Sequence, residues 1–450
     1  MHNFFANLLI KRFAFFVLLN LFLFNLNTLN ANPFFIAKFN GLMGGPLDSS
    51  AFSLFWNPAR LDQKNLKIDL YTAMISRQAS YDRTPTDPNA DAQILNANSG
   101  MASTSSVGFV PSLAISKGFK LNQDWRIGIG LGAYIARAGA SNWDRRSDAP
   151  AEFPGASDGT QRWNAISTNM IFLSYSAGLS IAYQRLSLGF ALNYNDVSLS
   201  TVRAANPDKS ETIYDISGKL SEGRIYLKDA KGSDFTWTAG LYLKIDEKGK
   251  FRTGLSYRRG NVYDLKGKGY VTFGVAQEST MTAAFPLQVA DSIHWSFAWR
   301  INERVQLRPE FEYMNWSIMD RQVATNLDVL QADGSRPTLL ELERKFKDTF
   351  AYRLRSDIKI TDAFTMHAGL SYETGATPRQ THEPGLAEND QIEVGLGASF
   401  RFNEKLMMHS SFFYQHFFKQ TVKNSIQKPQ ANGVYLDDRQ YLTLNLQYRF

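Results

Sequence analysis

The stretch Phe285-Pro-Leu-Gln-Val-Ala-Asp-Ser-Ile-His-Trp-Ser-Phe-Ala-Trp-Arg-Ile-Asn302 decides the fold class. Leu287, Val289, Ile293, Trp295, Phe297, Trp299 and Ile301 fall on one side of an extended chain. Gln288, Ser292, His294, Ser296 and Arg300 fall on the other. A strand turns successive side chains to opposite faces, so the segment predicts one apolar and one polar face. Working outward, the same alternation recurs at 66–82, 106–119, 125–138, 168–183, 186–203, 234–246, 250–264, 304–323, 346–361, 363–374, 389–402, 405–423 and 437–450. The connections at 121–124, 184–185, 246–249, 303, 361–362 and 403–404 are tight and rich in turn formers. Those at 84–105, 139–167, 204–233, 265–284, 324–345, 375–388 and 424–436 are long, and the two kinds alternate. Strands apolar outside and polar inside, tight turns at one end and long loops at the other, predict an all-β transmembrane antiparallel barrel of about 14 strands. A soluble sandwich also alternates, but its strands run shorter and its loops do not sort by parity. Nearly every segment supplies the about 9–11 residues a tilted membrane strand needs.

Composition is consistent with export. The chain has 450 residues, no cysteine, a net charge of +7 and 13% aromatic residues. Zero cysteine excludes disulfides and thiolate chemistry. The basic excess is spread without a Lys/Arg block, so no nucleic-acid footprint is expected. Lys11 and Arg12 precede an apolar run at 13–26, and Ala31 follows in a small, polar stretch. That order predicts a signal peptide over 1–31. Residues 32–65 then read as a compact, irregular plug, with Gly41, Gly44, Gly45, Pro46 and Pro58 bending the chain, and 66–450 as the barrel.

Three stretches together resemble the FadL-type family of outer-membrane transporters for long-chain fatty acids and other hydrophobic compounds. Gly41-Leu-Met-Gly-Gly-Pro-Leu-Asp48 leading into Phe55-Trp-Asn-Pro-Ala59 is similar to that family's N-terminal hatch, with its Asn-Pro-Ala motif at Asn57, Pro58 and Ala59. Phe311-Glu-Tyr-Met-Asn-Trp-Ser317 resembles its aromatic strand ending in Trp-Ser. Lys347-Asp-Thr-Phe-Ala-Tyr-Arg-Leu-Arg355, Gly369-Leu-Ser-Tyr-Glu373 and Thr377-Pro378 follow in its order. Family hatches commonly carry glycine after Asn-Pro-Ala, where this chain has Arg60. The C-terminal Tyr448-Arg-Phe450 fits outer-membrane barrels generally, whose last aromatic residue is read by the barrel-assembly machinery.

The resemblance implies loops that catch a hydrophobic small molecule, an apolar lumen pocket, a hatch and a side exit into the outer-membrane lipid. Trp143, Phe153, Trp163, Phe273, Val275 and Met281 are candidates for capture, or belong to interfacial belts. Alternation turns Arg308, Glu310, Glu312, Arg353, Arg355 and Asp357 into the lumen, with Lys347, Lys359, Glu393 and Arg401. An arginine fork there suits a carboxylate head, while a salt-bridge network bracing the plug is the alternative. Phe34 and Phe35 are placed to fill an apolar cavity, Gly44 and Gly45 to bend the hatch, and Asn57 to tie it to the wall. Gly128, Gly130 and Gly132 alternate along the third strand, which the family opens sideways; glycines that relieve crowding are the alternative. Six histidines show no metal spacing and no nucleophile elbow exists, so neither cofactor, metal nor catalysis is expected. A passive carrier is the leading expectation; a porin for polar solutes and an adhesion or receptor barrel are the alternatives.

Overall fold

A computed structural model describes residues 35–36, 38–149, 154–215, 217–273, 279–386 and 388–450. The expected signal peptide and Phe34 lie outside them. The chain forms a closed antiparallel barrel of 14 strands. They are β1 (Asn65–Arg83), β2 (Gly100–Lys120), β3 (Trp125–Asn142), β4 (Ser167–Tyr183), β5 (Leu186–Ala205) and β6 (Gly223–Lys244). Four strands each come in two pieces: β7 (Phe251–Arg258 and Asn261–Phe273), β8 (Ser279–Val289 and Ser292–Arg300), β9 (Val305–Met314 and Arg321–Asn326) and β10 (Thr338–Glu343 and Thr349–Lys359). The last are β11 (Phe364–Glu373), β12 (Gln391–Arg401), β13 (Leu406–Val422) and β14 (Gly433–Arg449). Each pairs with the next, and β14 closes on β1 from Gly433 opposite Arg83 to Arg449 opposite Lys67. Closure pairs the first strand with the last, so neither terminal strand is left as an open edge in lipid.

Alternation sets the two faces. Leu131, Leu179, Phe190, Trp295, Tyr352, Leu354, Leu396 and Leu442 stand exposed on the outside as an apolar belt. Tyr71, Arg77, Asn193, Glu310 and Asn445 face inward and are buried. The strands run longer than expected: β6 has 22 residues, about twice what a membrane crossing takes. The ends of the connections expected at 84–105, 204–233 and 424–436 are therefore wall, at 100–105, 204–205, 223–233 and 433–436. These rims carry polar residues on both faces, so no apolar phase marks them.

The breaks in β7 to β10 change more than the outline. The segment 285–302, expected as one strand with one apolar face, is two strands of opposite phase. Phe285, Leu287 and Val289 turn into the lumen, whereas Ile293, Trp295 and Trp299 turn to lipid. The break at Ala290–Asp291 shifts the pleat between them. Asp291 fills the gap by accepting from Gly260 N–H at 2.7 Å and Tyr257 O–H at 2.6 Å. Asp348 does likewise for Ser317 N–H at 2.9 Å and Tyr313 O–H at 2.7 Å. A phase change puts apolar side chains inside the upper barrel while the lower barrel keeps them outside.

The N-terminal segment fills the lumen at mid-height. Phe39 stacks on Phe52 with ring centroids 4.7 Å apart, and meets Tyr71 and Tyr134 of the wall edge-on at 5.2 and 5.1 Å. Asn57 caps the short helix Pro58–Arg60 through its Oδ1, which accepts from Ala59 N–H. Its Nδ2 donates to Pro46 O and to Leu241 O of β6, each at 2.9 Å.

Candidate functional site

The hatch lies flush against the wall because the wall is bare there. A Cβ on Gly118, Gly128, Gly189, Gly240 or Gly254 would run into hatch backbone or the Asn57 amide. Gly130 faces Leu61 and Gly132 faces Leu54 and Tyr134. The glycines singled out on β3 thus lie on the lumen face, against Leu61 and Leu54 of the hatch. Within the hatch, Gly45 has φ +120, open to glycine and strained for other residues, and a side chain at Gly44 would meet Phe39 O and the Trp56 indole. Asp48 is buried, 5% exposed. Burial pushes its carboxyl up from the ordinary 3.8 to about 6, against the pull of Ser50 N–H and Oγ–H and of Asn40.

The lumen charges form a clamp. Arg308 pairs with Asp357 at 2.9 Å and donates to Leu42 O of the hatch at 2.6 Å. Arg355 donates to Gly44 O and lies 3.5 Å from Glu310. Arg353 engages Glu310 and Glu312, and Glu393 takes Lys38 of the hatch at 2.6 Å. These side chains face inward, and Arg308, Arg353 and Arg355 each already have a carboxylate.

Two guanidiniums without a carboxylate lie elsewhere among the described residues. Above the hatch, Met170 of β4, Leu199 of β5, Leu227 of β6, and Phe285 and Leu287 of β8 line an apolar chamber. One step down the same strands, Phe172, Asn195, Val289 and Ser292 line a smaller pocket of about 40 Å³ that holds Arg137, Arg258, Tyr263 and His294. That suffices for about three water-sized groups. Arg137 is 7% exposed and its Nη1 has no hydrogen-bond partner. Arg258 donates to Phe55 O and lies over the Phe55 ring at 3.8 Å. Among the described residues, neither guanidinium has a carboxylate within ion-pair distance. Sequence reasoning missed both. Arg137 stands in an apolar, glycine-rich strand, and Arg258 next to Arg259 at a break.

The wall beside this pocket is incomplete. The β2–β3 ladder ends at Ser112 opposite Tyr134, and the two strands meet again only at the rim, where Thr104 Oγ1 donates to Asn142 O at 2.6 Å and Asp144 N–H to Ser103 O at 2.9 Å. Between them, 105–111 of β2 and 135–141 of β3 do not pair with one another. A bulge between Ile135 and Arg137 bends β3, and Tyr134, Ile135, Ala136, Arg137 and Ala138 are all buried whatever their parity. Backbone of Phe35–Ile36 pairs with the edge that β2 vacates, Phe35 opposite Ala138. Below the gap, Leu113, Ile115, Leu131, Tyr175 and Leu192 line an apolar depression on the lipid side.

At the long-loop end, Trp163 is fully buried, donating to Asn98 Oδ1 at 2.7 Å, and Trp143 is 7% exposed. Neither is an exposed capture residue. Arg162 is clasped by Glu222 at 2.8 Å beneath them, so these loops form a packed cap rather than free arms. Phe153 and Val275 lie outside the described residues. No group of acidic, histidine or cysteine side chains suited to a metal occurs among the described residues.

A lipid-belted closed barrel, plugged from within by its own N-terminal segment, is an outer-membrane β-barrel of the hatch-bearing class. Residues 44–450 match the model of the family described as outer membrane protein transport protein (OMPP1/FadL/TodX), and the chain belongs to that family. It is 23% identical over 234 residues to a 47 kDa outer membrane protein of Pasteurella multocida, a stretch covering 48% of this chain and 50% of that one. It is 21% identical over 181 residues to the long-chain fatty acid transport protein of Escherichia coli, covering 39% and 36%. The match spans half the length, or less, of these relatives. In structure it resembles a Pseudomonas aeruginosa FadL homologue, with TM-score 0.72, 16% identity and coverage of 94% and 98%. It also resembles the toluene transporter TodX of P. putida, with TM-score 0.67, 15% identity and coverage of 95% and 99%. At these identities the likeness speaks for the fold.

Proposed function

We propose that this protein is a passive outer-membrane carrier for hydrophobic compounds bearing a carboxylate, such as long-chain fatty acids, and that they leave sideways through the gap between β2 and β3. The observation that carries this reading is the stacking of an apolar chamber directly on Arg137 and Arg258, two guanidiniums without a carboxylate of their own. An acyl chain gains by leaving water for the chamber, about 0.8 kcal/mol per CH₂ buried. Its carboxylate supplies the acceptor that buried arginine lacks. A neutral aromatic hydrocarbon would fill the chamber and leave both cations unanswered. A porin for polar solutes fits poorly, since the hatch and its clamp occupy the lumen.

The side exit rests on position. Ala136 and Arg137 belong both to the pocket and to the bent part of β3, so a ligand head held there sits just inside the unpaired wall. The depression below offers lipid-side apolar surface to the chain. The Phe35–Ile36 backbone lies along the same edge, so a shift of the N-terminal segment would widen the path. Folding of the barrel is expected to use the assembly machinery through the exposed Phe450.

The test is binding of a fluorescent fatty acid and of its methyl ester to the purified protein, beside Arg137→Gln and Arg258→Gln. Acid affinity should drop at least tenfold in either variant while ester affinity holds. Equal binding of acid and ester to all three proteins would remove the carboxylate from the proposal and leave a hydrocarbon carrier.

A further inference from the structure

On the other side of the hatch, at the end with the tight turns, lies a second cavity of about 320 Å³. In a barrel of this kind that end faces the periplasm. Six arginines line it: Arg60 from the hatch, Arg252 from β7, Arg300 from β8, Arg308 from β9, Arg401 from β12 and Arg449 from β14. Three carboxylates face the same space, Asp48, Asp357 and Asp362, and all three are engaged. Asp357 holds Arg308 at 2.9 Å, Asp362 holds Lys359 at 2.5 Å, and Asp48 is ringed by Ser50 and Asn40 within the hatch.

The other five arginines are left with weak partners or with none that carries charge. Arg60 Nη1 lies 3.8 Å from Asp62, whose other oxygen is taken by Arg126 at 3.1 Å. Arg252 donates to the neutral Gln306, and Arg449 to the neutral Gln447 at 2.6 Å. Arg300 and Arg401 make no side-chain hydrogen bond or ion pair among the described residues. Arg60 is 7% exposed, and its Nε, like that of Arg252, is buried without an acceptor. Guanidiniums gathered around one space repel each other unless an anion joins them. Unmatched buried donors add to that cost.

A planar carboxylate is satisfied by a single fork, whereas here forks approach from the hatch, from β7 and β8, and from β12 and β14 across the barrel. A tetrahedral group with three terminal oxygens can accept from several at once. We propose that this vestibule binds a phosphate group from the periplasmic side, with Arg60 and Arg252 as its inner donors and Arg401 and Arg449 closing from the opposite wall. The site does not depend on which compound the barrel carries. Because Arg60 belongs to the hatch and the other donors to the wall, the bound anion adds a tie between them. The phosphate comes either free in solution or as the head of an anionic phospholipid in the inner leaflet.

The experiment uses the full chain, purified in zwitterionic detergent, with inorganic phosphate titrated calorimetrically at physiological ionic strength in chloride. In parallel, native mass spectrometry follows the protein after reconstitution in vesicles of phosphatidylcholine with or without phosphatidylglycerol. Saturable phosphate binding supports a soluble anion; retained phosphatidylglycerol without phosphate binding supports a lipid head. Either should weaken at least tenfold in Arg60→Gly and in Arg401→Ala, the latter altering an exposed residue remote from the hatch core. Absence of both ligands, or wild-type binding in both variants, overturns the proposal.

Discussion

Arg308 holds the hatch by its backbone: its guanidinium donates to Leu42 O at 2.6 Å while Asp357, on the neighbouring strand, grips it at 2.9 Å. The pair joins plug and wall through one side chain. Arg308→Met removes the tie and leaves Asp357 with Gln306, at 2.8 Å, and His367, at 2.7 Å, as its remaining partners. Breaking a buried pair from one side costs about 3–5 kcal/mol. The barrel ladders do not involve this side chain, so assembly should persist while the hatch loosens. Ion conductance in planar bilayers should rise from near closed to frequent openings. A variant as closed as the parent would show that Arg308 is not a principal hatch restraint.

Gly240 offers a second way to loosen the same contact without touching charge. A methyl there would occupy the place of the Asn57 amide oxygen. Asn57 would have to give up Leu241 O or its cap on Ala59, losing hydrogen bonds worth about 0.5–1.5 kcal/mol each. Gly240→Ala should therefore expose 50–60 to limited proteolysis at protease levels that spare the parent. Asn57→Gly combined with Gly240→Ala should add little beyond the single change, because both remove one contact.

Asp48 gives the hatch a pH dependence whose sign is fixed by its environment. Its carboxyl titrates at about 6 when docked, against an ordinary 3.8, so the docked state takes up a proton more readily than a released one. The resulting stabilisation is full below about 3.8 and is lost as pH rises through about 6. Hydrogen exchange over 38–62 should then be slower at pH 5 than at pH 7.5, after correction for the intrinsic rate. The interval between 3.8 and about 6 sets a ceiling of roughly 3 kcal/mol on the effect. Asp48→Asn should flatten it, and an equal slope in that variant would assign the dependence to another group.

How much of this was legible in the sequence follows from period and phase. Alternation in β1, β4, β5, β11, β12 and β14 runs through, so these strands and the tight turns beside them could be read directly. The inward set Arg308, Glu310, Glu312, Arg353, Arg355 and Asp357 followed from the same parity. Parity failed where the backbone slips. Leu287 and Ile293 differ by an even step, yet one faces the lumen and the other lipid, because Ala290–Asp291 intervenes. The apolar chamber was hidden for that reason, and so was the pocket under it, since Arg137 acts at a bulge that no residue type announces. The glycines of β3 mark the right location, but their partners, Leu54 and Leu61, come from a segment whose docking only three dimensions supply.

The bulge at Ala136 also makes the side exit testable apart from the carrier itself. Ile135 stands opposite Leu173 and Arg137 opposite Phe172, so one residue of β3 has no partner on β4. That extra residue bends the strand and carries its upper half away from β2. Deleting Ala136 restores one-to-one register with β4 and should return 135–141 to the edge presented by 105–111. A bulky residue at Gly130 is a poorer probe, since it would strike Leu61 of the hatch before altering the gap. In the deletion, uptake of labelled fatty acid by cells should fall to the level of a strain lacking the protein. Heat-modifiable migration should persist, showing that the barrel still folds. Bound fatty acid in the purified variant would locate the block after binding. Unchanged uptake by a correctly folded deletion would refute lateral exit and direct attention to the path past the hatch.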